Sequence, residues 1–296
     1  MADQSSSRRS RWRRVAWIFF GALLLTWLGK AFIPELASLG QDRIAIVRIE
    51  GPIFDSTQAV SELKSFGEDP LVKAIVVRID SPGGAVAPSQ EIYNAVLRVR
   101  REHEKKVVAS MGTVAASGGY YIAVASDRIL ANPGTLTGSI GVIMQLANFQ
   151  KLLEKLGVKS VAVKSGRYKD LGSPFRPMTD EDRQLIQAVM DDVHRQFIEA
   201  VADGRSLDVA DVIPLADGRV FTGKQAKELL LVDDLGDLHD AIQLASQLGG
   251  VRGKPKIVEP ERRFSLRDLV TGVFGRKLSS MIGRASWSPL MYLLAF

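Results

Sequence analysis

Three short glycine-rich segments carry the side chains best placed to do chemistry: Asp80-Ser81-Pro82-Gly83-Gly84, Ala115-Ala116-Ser117-Gly118-Gly119-Tyr120-Tyr121 and Thr137-Gly138-Ser139-Ile140-Gly141. In the second, Ser117 precedes two glycines and the run YYIAVA, which has the pattern of a helix. A hydroxyl at a strand-to-helix turn lies near the positive end of the helix dipole. The N–H of Gly118 follows the serine directly. The N–H of Gly84, from the neighbouring loop, can point into the same space. Two such donors make an oxyanion hole, in which one donor is typically worth on the order of 10²–10³ in rate. Glycine permits the close backbone approach that this requires. Taken one at a time, each loop is equally readable as a tight turn.

A serine nucleophile needs a base. The chain has three histidines, and all stand in charged surroundings: His103 in REHEKK, His194 in the charged stretch 180–205, and His239 in DDLGDLHD. A Ser-His-Asp triad is therefore disfavoured. A lysine kept neutral by burial can take the role instead. Lys169 stands out because it lies in SGRYKDLGSPFRP, 165–177, a loop dense in glycine and proline. Its residue type alone leaves it equally readable as a surface lysine. The absence of cysteine excludes a disulfide framework, a thiolate metal site and a cysteine nucleophile. With so few histidines no metal site is expected, and no cofactor is called for.

The elements around these loops alternate. Segments 43–49 (RIAIVRI), 73–79 (KAIVVRI) and 106–110 (KVVAS) are short, rich in Val and Ile, and read as strands, while 57–66 and 88–104 read as helices. Strand–helix alternation implies crossover units and a parallel α/β sheet. In such sheets ligands bind outside the carboxyl ends of strands, where the first two loops fall. The third follows the apolar segment 128–131. Further along, 148–156 reads as a helix ended by Gly157, and 161–164 (VAVK) as a brief strand. Thr179 to about Ala202 reads as a long helix with an acidic first turn. Thr222 with Gln225 forms a capping-box pattern ahead of another helix.

The charge is unevenly spread. The 296 residues hold 39 Lys+Arg against 33 Asp+Glu, for a net +6. Residues 1–14 carry +4, residues 252–296 carry +6, and the body between them carries −4. A mildly acidic body argues against a nucleic-acid groove there. Arg8, Arg9, Arg11, Arg13 and Arg14 precede an apolar run over 15–33. Nineteen helical residues reach about 28 Å at roughly 1.5 Å each, close to a hydrocarbon core of about 30 Å. Trp12, Trp17 and Trp27 fall near the two interfaces, and the arginine cluster should stay in the cytoplasm. A cleavable signal peptide is the rival reading, but its only nearby small-x-small site ends at Ala37 and includes Glu35, a poor fit. The expected organisation is a cytoplasmic basic tail (1–14), a transmembrane anchor (15–33), an extracytoplasmic domain (34–251) and a basic, then apolar, C-terminal arm (252–296) ending LMYLLAF.

Four stretches, in this order and spacing, resemble the short bacterial signal peptide peptidases. They are RIDSPGG (78–84), ASGGYYIAVASDRILANPGTLTGSIGV (116–142), SGRYKDLGSPFR (165–176) and DGRVFTGKQAKELLLVDDLG (217–236). That family comprises membrane-anchored serine proteases with a serine–lysine dyad and a Clp protease/crotonase-like spiral of ββα units. The resemblance implies Ser117 as nucleophile, Lys169 as general base, Gly84 and Gly118 as oxyanion-hole donors, and Ser139 as the hydroxyl that orients the lysine. It also implies a homo-oligomeric ring in which the lysine serves the serine of an adjacent protomer. The family usually has glycine where Leu230 stands, at what looks like a helix end, where glycine favours the left-handed cap.

The expected activity is hydrolysis of remnant signal peptides and other apolar peptides at the outer face of the cytoplasmic membrane, without metal, cofactor or nucleic acid. The alternatives are a related membrane protease that trims one specific membrane protein, for instance beside a stomatin-like scaffold, a crotonase-type acyl-CoA enzyme, and a non-catalytic scaffold. The apolar C-terminal end is itself signal-peptide-like. It is expected either to enter an active site or to serve as a packing arm or membrane contact.

Overall fold

The computed structural model describes residues 41–260 and 291–293. The apolar run 15–33, with the basic tail before it, lies outside these residues, as does most of the C-terminal arm. Among the described residues no helix is long and apolar enough to cross a membrane.

The chain opens with β1 (Arg43–Glu50), α1 (Thr57–Glu68), β2 (Val72–Ser81), the short β3 (Gly83–Ala85), α2 (Val86–Glu102) and β4 (Lys106–Ala116). It continues through α3 (Gly118–Ala123), β5 (Arg128–Ala131), β6 (Leu136–Gly138), α4 (Gln150–Lys155) and α5 (Asp180–Arg205). Then come α6 (Val209–Val212), a 3₁₀ turn, β7 (Val220–Thr222), α7 (Gly223–Glu228), β8 (Asp234–Leu235), α8 (Leu238–Leu248), β9 (Lys256–Val258) and β10 (Met291–Leu293).

The main sheet runs β7-β6-β4-β2-β1-β9, with β5 on β4 and β8 on β5. All its pairs are parallel except β6–β7. The central strands are buried on both faces, which explains their near-continuous Val/Ile runs. The larger core lies under α1, α2, α3 and α5, where Ile92, Val96 and Val99 of α2 turn inward at helical spacing. On the other face α8 presents Ala241 and Ala245 to Ile44, Ile46 and Val76. The small alanines let the helix lie close to the sheet.

The strand at 106–110 continues to Ala116, because β4 serves two neighbours in turn. Its first half pairs with β5 and its last three residues pair with β6. Between the halves its register against β2 shifts: Ile79 pairs with Met111, but Ser81 pairs with Ala115. The Asp80 carboxylate fills the resulting bulge and accepts the Val114 N–H at 3.1 Å. A Cβ on Gly112 would lie 2.8 Å from that side chain. Bulges of this kind re-aim a strand beside functional sites. Here the bulge steers the end of β4 toward β6.

The expected strand at 161–164 does not form. Residues 158–164 are irregular, and Val161 and Val163 are 83% and 99% exposed. Their alternating β-branched pattern has no neighbouring strand to pair with in this chain. The helix expected over 148–156 is confined to α4. The long helix is confirmed as α5, and Thr179 and Asp182 close a reciprocal capping box at its start.

Candidate active site

Ser117 ends β4 and opens α3 with φ 54° and ψ −118°, a conformation that L-residues avoid. The surroundings over-determine it. The Ser117 N–H donates to the Gly138 carbonyl at 2.8 Å, its carbonyl accepts the Tyr121 N–H at 2.8 Å, and Tyr120 is wholly buried. The Tyr120 hydroxyl donates to the Leu231 carbonyl at 2.8 Å, which ties α3 to the segment after α7. Tyr121 packs between Tyr93 and Phe197, with ring centroids 4.8 and 5.0 Å away. The Ser117 hydroxyl is buried and has no hydrogen-bond partner among the described residues. A buried polar group left unpaired costs about 1–3 kcal/mol, so this one calls for an explanation.

Gly84 and Gly118 lie close together. A Cβ on Gly118 would lie 3.2 Å from the Gly84 nitrogen and 2.6 Å from the Ser89 hydroxyl. A Cβ on Gly84 would lie 2.1 Å from the Ile53 carbonyl oxygen. Gly84 admits no side chain without backbone movement, and a side chain at Gly118 would displace the Ser89 hydroxyl. The Ser81 hydroxyl accepts the Gly83 N–H at 3.1 Å, and the Ser89 hydroxyl donates to the Ala85 carbonyl at 2.9 Å, pinning both ends of β3. Ile53 lies along the other edge of β3: its N–H donates to the Gly83 carbonyl at 2.9 Å and its carbonyl accepts the Ala85 N–H at 2.7 Å. Because strand groups alternate in direction, the N–H and C=O of Gly84 point the opposite way, away from Ile53.

That open edge is occupied by β10. Met291, Tyr292 and Leu293 pair antiparallel with Ala85, Gly84 and Gly83. On its far side Met291 exchanges both backbone hydrogen bonds with Ile143, at 3.1 and 3.2 Å. By the same alternation the Tyr292 N–H and C=O face Gly84. A chain segment thus lies as a strand between β3 and Ile143, with one carbonyl aimed at the Gly84 N–H. The roles of Ile53, Ile143 and Ser89 were not legible in the sequence. The strand-like LMYLL pattern was the one available signal for β10.

Ser139 follows β6 with φ 51°, is 7% exposed, and donates its N–H to the Arg219 carbonyl at 2.8 Å. It therefore sits one residue beyond the carbonyl that holds Ser117. Lys169 is elsewhere. It lies in the exposed segment between α4 and α5, with no hydrogen bond or ion pair to its side chain among the described residues, and none to Ser117. Its neighbours are tied down: Tyr168 and Arg167 to Glu181, and Asp170 to Lys164 and Arg176. One chain thus places Ser117 and Gly118 close to Gly84 but makes no bond between Ser117 and Lys169 among the described residues. No group of three or more His, Asp or Glu among the described residues could hold a metal.

Residues 99–252 match the profile of peptidase family S49. The chain belongs to that family. It is a serine peptidase. A Synechocystis protein named as a protease is 48% identical over 211 residues, which cover 71% of this chain and 75% of that one. An Enterococcus faecium protein bearing the name signal peptide peptidase SppA is 40% identical over 183 residues, 62% of this chain and 53% of its own. The chloroplastic serine protease SPPA of Arabidopsis thaliana is 35% identical over 261 residues, 82% of this chain and 38% of its own. The S49 profile covers β4 to α8, and so takes in Ser117, Ser139 and Lys169, while Gly84 lies ahead of it.

Proposed function

We propose that this S49 peptidase hydrolyses extended apolar peptides, remnant signal peptides foremost, through Ser117 and Lys169. One observation carries the reading: β10 lies as a strand along Gly83–Ala85, its Tyr292 carbonyl facing the Gly84 N–H beside the unpartnered Ser117 hydroxyl. A peptide added to a sheet edge gains its affinity from main-chain hydrogen bonds and its selectivity from side-chain pockets. Neutral Lys169 removes the proton from the Ser117 hydroxyl, and the oxygen attacks the carbonyl. The Gly84 and Gly118 N–H groups hold the resulting oxyanion. Protonated Lys169 then donates to the leaving amine, and water releases the acyl group. Ser139 bonds the lysine and orients it.

Lys169 is exposed in the single chain, and burial is what fits a lysine to act as a base, so in this reading its cover comes from outside its own chain. The arm around Lys169 carries exposed Phe149, Leu152, Leu156, Val161, Val163 and Phe175. An apolar patch of this kind fits a contact with another copy. In this reading the chain forms a homo-oligomeric ring in which Lys169 of one protomer meets Ser117 of the next. The domain is the Clp protease/crotonase-like spiral of ββα units. The run 15–33 anchors it in the cytoplasmic membrane, with 1–14 inside, the protease domain 34–251 outside and the arm 252–296 reaching the active site. The anchor raises the effective concentration of membrane-derived peptides at the site.

Labelling with a serine-reactive phosphonate, followed by mapping of the adduct, tests the assignment. Modification of Ser117 is expected, and modification of Ser81 or Ser139 in its place overturns it. Ser117→Ala and Lys169→Ala should each abolish cleavage of an apolar peptide while the oligomer survives. In this register Tyr292–Leu293 is the bond presented to Ser117. Mass spectrometry of the active enzyme should find chains ending at Tyr292, absent from Ser117→Ala. Identical intact C-termini in both would remove β10 as a substrate mimic. The alternative, trimming of one defined membrane protein, predicts little turnover of mixed apolar peptides.

A further inference from the structure

We infer that Arg176 is a positioning residue that fixes Lys169 for delivery to the serine of a neighbouring copy, by bolting the lysine's loop to the start of α5. The inference rests on the shared-dyad reading above.

The Arg176 guanidinium spans two carboxylates. Its Nε donates to Asp170 Oδ2 at 2.9 Å, and its Nη2 donates to Asp170 Oδ1 and to the Asp170 carbonyl, each at 3.2 Å. The same group donates to both oxygens of Asp182, at 3.2 Å from Nη2 to Oδ1 and through Nη1 to Oδ2, and Nη1 also reaches the Pro177 carbonyl at 3.0 Å. Asp170 is the residue after Lys169. Asp182 is the N3 residue of α5, where it accepts the Thr179 N–H at 3.0 Å. The two carboxylates are 13% and 5% exposed, although the loop around them is open to solvent. Lys164 adds a bond to Asp170 at 2.6 Å, and Glu181 of α5 holds Arg167 and Tyr168 on the other side of Lys169. The residues flanking Lys169 are thus held on both sides, while its own ammonium has no partner among the described residues.

That pattern suits delivery. The carboxylates of Asp170, Glu181 and Asp182 are engaged by other donors, and the backbone of Lys169 is referenced to a helix of 26 residues packed on the core. Arginine is required because only a planar fork engages two carboxylates and two carbonyls at once; a lysine is a point donor.

The test uses the full-length enzyme, with two differently tagged copies co-expressed and the mixed oligomers isolated. Arg176→Met alone should lower kcat by ten- to a hundredfold with KM within twofold, and Arg176→Lys should recover part of it. Mixed with Ser117→Ala, Arg176→Met should regain activity, because sites then form from the serine of one copy and the correctly held lysine of the other. Mixed with Lys169→Ala, it should regain none. Recovery with Lys169→Ala, or an unchanged kcat in Arg176→Met, would overturn the inference. Where Arg176→Met does not assemble, Asp170→Asn is read by the same criteria. The control mixture of Ser117→Ala with Lys169→Ala tests the shared dyad separately. If that control stays inactive, the shared dyad fails, and the kcat loss without a KM change in Arg176→Met still decides the positioning role.

Discussion

Ser117 and Leu230 are both non-glycine residues with positive φ, and they illustrate two uses of one strained conformation. At Ser117, φ 54° is held by the bond to Gly138 and the burial of α3 beside Gly84. At Leu230, φ 61° closes the turn after α7, and the side chain is 59% exposed with no packing to offset the strain. The sequence reading noted that Leu230 stands at what looks like a helix end, where the family it resembles usually has glycine. Leu230→Gly should therefore stabilise the protein by about 0.5–1 kcal/mol, since a left-handed L-residue costs roughly 1–2 kcal/mol and glycine returns part of that as lost chain entropy. A denaturant midpoint that is unchanged or lower would contradict this. Activity should not change, because Leu230 faces solvent away from the glycine loops.

At the scale of elements, the loop before α5 is held by charge where other connections are held by packing. Hydrogen bonds from Arg176 and then Lys164 hold the Asp170 carboxyl at about 2. The Arg176 bond, followed by the Thr179 N–H, holds Asp182 lower still than the usual carboxylate range. Both folded values lie below the unfolded value of about 3.9. The bonds therefore contribute in full above about pH 4 and are lost as pH falls through the folded values. Pepsin should begin to cut within 165–178 between about pH 4 and 2, before far-UV circular dichroism reports loss of α5. Simultaneous loss of both signals would contradict a separately held loop. Part of this was legible: the acidic first turn of α5 stood in the sequence as Asp180 to Asp182. The Arg176 bridge did not, because no local pattern says which of several arginines reaches which carboxylate. VAVK misled for the opposite reason, since alternating valines signal a strand only if a partner strand exists.

At the scale of the whole molecule, a buried serine hydroxyl lacks a partner among the described residues, and Lys169 stands in an exposed arm with apolar side chains. The proposed assembly with a second copy would meet both deficits. Val161→Asp with Val163→Asp should shift the enzyme to smaller species in sedimentation and lower peptide turnover at least tenfold. The fold should survive, since both side chains lie almost wholly in solvent in the single chain. Full activity in a dispersed monomer would contradict assembly through this arm. The C-terminal strand belongs to the same scale. Residue 292 lies opposite residue 84 across more than two hundred positions of sequence, and that pairing makes β3 one half of a two-stranded sheet.

What the sequence determined by itself was the alternating α/β order, the three glycine loops and the residues in them. These depend on periodicity, on backbone freedom at glycine, and on the ordered motifs of the S49 family. Only the tertiary structure decided that Gly84 and Gly118 share one space, that Ile53 leaves one edge of β3 open, that β10 fills it, and that Lys169 stands apart with Arg176 holding its loop. Those facts follow from register and from long-range hydrogen bonds. Such bonds are chosen by the packing of the whole chain, and the residues that make them carry no local mark of their partners.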